Sequence, residues 1–322
     1  FLPQGTLALQ LPDLEALARL AGQSVQGSLT GTATFVADAA TGTLELDARA
    51  PSITTAGRTA TDVSINATVS NYTLDPTLAG QVGATVADLV PGQPPAEIRV
   101  SLDGKPADLR ANGTLAMEGQ TITSFAATYA QAAGGGRVEL TGDAALSRLL
   151  PEGVRIVAPD PTRFDVAAVL GGSAVRIERA TVSNAALTAT ASGEVDPAGS
   201  MDLTLDIGAG TSATLALGTA ESPLDISLRS ATVRARGPFA RPALDLTADL
   251  ASVVAPGARV TDLALALQSE GLDVETRSGP ISGSVTAGAV SLDNQTVAPL
   301  VAGTVRAEFV ASLTPDAVTI TQ

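Results

Sequence analysis

The side chains in this chain that could do chemistry are carboxylates. It carries 33 Asp and Glu against 19 Lys and Arg, and neither histidine nor cysteine. Without imidazole or thiol, no Ser-His-Asp or Cys-His constellation can form. Acid–base work at neutral pH is left to carboxylates, to the single lysine, Lys105, and to two tyrosines. Two carboxylate pairs stand out, Asp202/Asp206 and Asp245/Asp249, each spaced i, i+4. On a strand that spacing puts both groups on one face about 13 Å apart. That is too far for either class of glycosidase pair. They read as solvated surface. IGAGTS (207–212) has the glycines of a phosphate loop but not its lysine, and it precedes a strand, so it reads as a turn. Asp13 and Asp38 do not build a calcium-loop spacing. Asn66, Asn71, Asn112 and Asn294 begin N-x-T triplets, a short pattern that arises often by chance in a Thr-rich chain. The expectation is a protein that is not an enzyme and uses no cofactor and no metal.

What must position these carboxylates is a polar/apolar alternation that recurs from end to end. TLELDARA (43–50) puts Leu44, Leu46 and Ala48 on one side and Glu45, Asp47 and Arg49 on the other. DVSINATVS (62–70), EIRVSLD (97–103), MDLTLDI (201–207), LDISLRS (224–230), ALDLTADL (243–250) and LDVETR (272–277) repeat the pattern. A period of two means strands with one dry and one wet face. About eighteen such runs fit, punctuated by Gly, Pro, Asn and Asp. The unit of repetition is a hairpin, with no strict motif at fixed length. That pattern fits an open meander better than propeller blades.

Composition narrows the class. Hydrophobic residues make up 45% of 322, but aromatics only 2%, and tryptophan is absent. Rings normally fill the core of a compact sandwich because each buries a large area. Here the core is either thin or not fully closed. The net charge of −14 and singly scattered arginines exclude a nucleic-acid stripe. The carboxylates alternating with aliphatics keep a sheet soluble and discourage edge pairing. No run reaches the roughly 20 apolar residues of a membrane helix.

Three segments read as short helices. LEALARLAG (14–22) follows a capping Asp13 and stops at Gly22. DAALSRLLPEG (143–153) reads as one to two turns ended by Pro151, and LASVVAPGARV (250–260) as a helical turn before Pro256-Gly257. PGQPPAE (91–97) reads as a loop between strands. No linker separates two independent domains, so residues 1–322 are expected to form one continuous repetitive β-segment, cut from a longer polypeptide.

Dry faces by default pack on one another, as in a sandwich or solenoid. Small aliphatic lining, scarce rings and too many strands for one sandwich favour the alternative. The expected fold is all-β: an elongated, curved antiparallel sheet forming an open, taco-like apolar groove, with one to three short helices. Its expected lining is Leu44, Leu46, Val63, Ile65, Ile98, Val100, Leu203, Leu205, Leu244, Leu246, Leu263 and Leu265.

VRARGPFARPALDLTADLASVVAPGARVTDLALALQ (233–268) resembles the repeat of TamB and its AsmA-like relatives, in which a strand–G–x–x–x–x–P step leads into a strand, a short helical turn and another strand. VRIERATVSNAALTATASGEVDPAGSMDLTLDI (175–207) resembles the neighbouring hairpin, and PDLEALARLAGQSVQGSLTGTATF (12–35) the helix-then-strand element. The resemblance extends in style over essentially the whole chain. It implies a β-groove in the periplasm of a diderm bacterium, anchored to the inner membrane by a helix outside this segment. At its other end the groove would meet an Omp85-type outer-membrane barrel. It also implies a role in moving phospholipid between the membranes, linked to outer-membrane biogenesis, with phospholipid acyl chains as the cargo. Two other roles compete: a scaffold for assembly or secretion of outer-membrane β-barrel or autotransporter proteins, and a structural β-solenoid or adhesin segment.

Overall fold

The computed structural model describes residues 4–15, 25–38, 41–55, 58–89, 93–132, 135–150, 155, 157–172, 174–196, 198–212, 214–219, 222–293, 303–315 and 317–320. Among them are twenty-one strands, and every pairing is antiparallel. The sheet is not closed into a barrel. The alternation therefore predicted the fold class. The strands fall into two compact units, Phe1–Ala145 and Leu146–Gln322.

The first unit holds β1 (Gly5–Leu11), β2 (Val25–Gly27), β3 (Leu29–Asp38), β4 (Thr41–Thr55), β5 (Arg58–Ser70), β6 (Thr77–Val86), β7 (Ala96–Lys105), β8 (Asp108–Met117), β9 (Gln120–Ala132) and β10 (Gly135–Ala144). From β3 to β10 each strand pairs with the next, β1 lies against β3, and β2 covers the far half of β4.

The second unit holds β11 (Thr162–Gly171), β12 (Ala174–Ser183), β13 (Leu187–Asp196), β14 (Ser200–Ala209), β15 (Leu215–Thr219), β16 (Ser222–Pro238), β17 (Ala243–Ala255), β18 (Ala258–Ser269), β19 (Gly279–Leu292), β20 (Val305–Thr314) and β21 (Ala317–Ile320). It too is a meander. Only β16 departs from it: long enough to pair with β15 along its first half and β14 along its second, while β17 lies on its other side.

Of the expected helices, residues 16–24 lie outside the described residues. The segment after 143 supplies only a single 3-10 turn, Leu146–Arg148. The helical turn expected at 250–260 does not form. β17 runs to Ala255, turns at Pro256-Gly257 with Gly257 at φ 75°, and returns as β18 with Ala255 opposite Ala258. Pro followed by a positive-φ Gly is a tight-turn signature.

The helical reading had a physical source. Leu250 and Val253 are three apart, which mimics a helical period. In the structure a break in the ladder produces that spacing. Arg229 on β16, Ala251 on β17, Asp262 on β18 and Gly288 on β19 all drop out of the paired register at one level. Apolar residues therefore stand three apart across it: Leu228/Ala231, Leu250/Val253, Val260/Leu263 and Ala287/Val290. The β16–β17 register shifts there, while β17–β18 and β18–β19 each leave one opposed pair out of the ladder with the register unchanged on either side; such interruptions bend a sheet locally. Four aligned breaks make a crease.

The crease is present in both units. In the first it passes through Pro51 on β4 and Asp62 on β5. Ala50 faces Val63 and Ser52 faces Thr61, as Leu250 faces Leu263 and Ser252 faces Thr261. Asp62 and Asp262 share the same φ of 52°. The β3–β4–β5 register continues the match: Ala33–Leu46–Ala67 corresponds to Val233–Leu246–Leu267 on β16–β17–β18. Each position is 200 residues from its counterpart. A fixed-length repeat that alternation conceals is thus visible in the register.

Candidate functional site

In an antiparallel ladder, residues directly opposite share a face. The register therefore assembles continuous rows. In the first unit one row runs Leu9–Gly31–Ala48–Ile65–Val82–Val100–Gly113–Phe125–Gly142, across nine strands. Its neighbour runs Leu7–Ala33–Leu46–Ala67–Gly80–Leu102–Ala111–Ala127–Leu140. In the second unit Ala180–Ala191–Leu205–Val233–Leu246–Leu267–Gly283–Phe309 crosses eight strands. None of these rows contains a carboxylate or a basic group. The opposite face carries the polar rows, such as Thr32–Asp47–Asn66–Gln81–Ser101–Asn112.

The twelve expected lining residues are placed by this register. Leu44, Leu46, Val63, Ile65, Ile98 and Val100 lie on the apolar face of the first unit. Leu203, Leu205, Leu244, Leu246, Leu263 and Leu265 lie on that of the second. Val63 is buried and the other eleven are half-buried.

The apolar face is not sealed. Among the described residues, ten of the thirteen buried hydrophobics are alanines, and only Val63, Met117 and Ile122 are larger. The accessible surface is 19104 Å² for 32.1 kDa. A compact globule of that mass exposes about 12,000 Å², and two of half the mass about 15,000 Å² in all. The chain exceeds the second figure as well, by several thousand square ångströms.

The two faces are also unequal. Leu46, Ile65, Val82, Val100 and Leu102 are half-buried, whereas Asp47, Asn66, Gln81, Ser101 and Asn112 beside them are exposed. Both sets have the same neighbours in the plane of the sheet. On the polar side of the crease in the second unit, Arg229 joins two carboxylates. Nη1 of Arg229 donates to Asp249 Oδ1 at 2.9 Å and Nη2 to Asp262 Oδ1 at 2.6 Å. These hydrogen bonds, Asp262 first, push the Arg229 pKa upward.

Rings are few but consistently placed. A Cβ on Gly113 would stand 2.2 Å from Phe125 Cζ, one on Gly136 2.2 Å from Tyr129 Cε2, and one on Gly42 2.2 Å from Tyr72 Cε1. Each ring lies over a glycine of the adjoining strand or loop, covering backbone that would otherwise be bare. Tyr72 also meets Phe35 edge-on, with centroids 6.3 Å apart. No sequence signal singled out these pairs, because each depends on the pairing of two separate stretches of chain.

The carboxylate pairs lie on the polar face, as their spacing required, and three of the four have hydrogen-bond partners there. Asp202 accepts from Arg236 at 3.4 Å, Asp206 from Thr232 at 2.7 Å and Asp249 from Arg229. Asp245 stands opposite Arg234 in the ladder. Arginines that look isolated along the chain become cross-strand neighbours. Four hollows of ≈ 450 to ≈ 630 Å³ lie between such polar rows, one of them lined by Arg176, Glu178, Ser192, Glu194 and Asp202. No group of three or more metal-ligating side chains gathers among the described residues, and no helix there is long and apolar enough to cross a membrane.

Fold and site together define an open antiparallel β-sheet protein with an unsealed aliphatic face. No family model, no curated protein and no solved structure matches the chain.

Proposed function

We propose that this protein is a conduit for phospholipid, which carries acyl chains along its apolar face while headgroups stay in water. In the setting its TamB-like repeats suggest, it would bridge the inner and outer membranes through the periplasm. An anchor helix and an Omp85-type barrel partner would lie outside this segment. One observation carries the reading: uncharged, largely aliphatic rows cross eight or nine strands within a unit, and most of their side chains are half-buried. At roughly 4.8 Å per strand, nine strands span about 38 Å. The acyl layer of one leaflet is about 15 Å deep, half a hydrocarbon core. A chain lying along such a row meets an uncharged surface at every step.

The mechanism is solvent replacement. Exposing a lipid's hydrocarbon costs about 0.8 kcal/mol per CH₂, so roughly 24 kcal/mol for thirty groups. An aliphatic face lowers that barrier without breaking a bond. Glycines and alanines are interspersed among leucines and valines along the rows, which leaves a shallow lining instead of a tight pocket that would trap its cargo.

The competing reading is a scaffold that holds an extended strand of an unfolded outer-membrane protein. Native mass spectrometry of the purified chain separates the two. Co-purified phospholipid supports the conduit, and bound peptide without lipid overturns it.

A further inference from the structure

We infer that the chain carries two equivalent acyl-chain stations, one in each unit, an inference that rests on the lipid reading above. Its ground is independent of that reading: the site is built twice. Leu46 and Leu246 hold corresponding places in their apolar rows, flanked by Ala33 and Ala67 in one unit and by Val233 and Leu267 in the other. Asp62 and Asp262 place the same crease beside them, both at φ 52°. Beyond each β5-type strand a loop presents one bare aliphatic at a corresponding position: Leu74, 75% exposed, and Val274, 53% exposed.

The chemistry of the occupant follows from charge. Neither row contains a carboxylate or a basic group, although the chain has 52 of them in all (19 + 33). All the charge that flanks the rows in sequence points to the other face. The part of the occupant that touches the rows must therefore be uncharged. Aliphatic walls with few rings suit a hydrocarbon chain better than a flat ring system. A module made twice also suits a small occupant taken twice, whereas one folded partner would need a single complementary surface. Two equal stations predict that each unit contributes half the load.

The test uses the full chain. It is incubated with dioleoylphosphatidylcholine vesicles containing a trace of fluorescent phosphatidylethanolamine, separated from them by size exclusion, and assayed for lipid per chain. Leu46→Asp and Leu246→Asp each place a charge in one station. Each is expected to lower the load about twofold, and the double variant to abolish it. Leu102→Asp and Leu267→Asp, in the same two rows, serve as a second pair if a melt shows either first variant unfolded. Loss of the whole load in one folded single variant would mean one shared site and overturn the inference. So would an unchanged load in either. A folded wild type that takes up no lipid overturns the lipid reading itself and the stations with it.

Discussion

Arg229 reaches Asp262 across the width of β17, closing a 2.6 Å ion pair between strands that do not neighbour each other. The contact exists because the sheet is creased. Arg229 and Asp262 both drop out of the paired ladder, and each is free to turn toward the polar side. Asp249, on the strand between them, completes the bridge at 2.9 Å. In the first unit the residue corresponding to Asp249 is Arg49, so the crease is shared while its charges are rearranged.

Removing the clamp should cost little and should be salt-sensitive. All three side chains are substantially exposed, where ion pairs are weak. Arg229→Ala is expected to lower the melting temperature by a few degrees at low ionic strength. The difference from wild type should close in 1 M salt, where the screening length is about 3 Å. A gap that persists undiminished would assign Arg229 a packing role instead.

A charge on the apolar face separates an open surface from a sealed core. At Leu246, half-buried, a carboxylate keeps part of its water, so Leu246→Asp is expected to cost under about 2 kcal/mol. At Val63, 7% exposed, the same change strands the charge and should cost several kcal/mol. Urea unfolding of the two variants checks the contrast. Equal and severe losses would show that Leu246 is sealed.

Gly193 on β13 should tolerate no side chain. Its φ is +137°, and a Cβ there would stand 2.0 Å from the Asp202 carbonyl oxygen. Since the obstruction is backbone, the strands themselves would have to separate. Gly193→Ala is expected to destabilise by about 2–3 kcal/mol, from strain added to the clash. A thermal melt that leaves Gly193→Ala within experimental error of wild type would contradict this account.

The loop between β18 and β19 should weaken in acid. The Thr276 backbone amide, 2.9 Å from Asp273 Oδ1, is the largest influence holding the Asp273 carboxyl below its ordinary value of 3.8; the Thr276 hydroxyl and Arg241 add to it. A carboxyl depressed in the folded state stabilises above the unfolded value and loses that contribution as pH falls through the folded one. Hydrogen exchange at the Thr276 amide should therefore be slowed at pH 5 and lose its protection progressively below about pH 4. In Asp273→Asn that step should vanish. Protection independent of pH in the wild type would refute the assignment.

Much of the fold was legible without coordinates. The period of two in stretches such as TLELDARA and MDLTLDI determines which side chains share a face, because the pleat leaves no other choice. The absence of histidine and cysteine removed whole classes of chemistry, and the aliphatic, ring-poor dry positions pointed to a thin core. Tertiary structure alone decided what depends on partners distant in the chain. It turned Arg236 and Asp202, 34 residues apart, into neighbours, and set Phe125 over Gly113. It also aligned the three-residue spacings at Leu250/Val253 and Val260/Leu263 into one crease. In one strand that spacing cannot be told from a helical turn. Only when adjacent strands break their ladder at the same level does it become a crease, and the ladder is a property of pairing. The alternation written in each strand thus determined that an apolar face exists, and the pairing between strands decided where it bends and how much of it stays open.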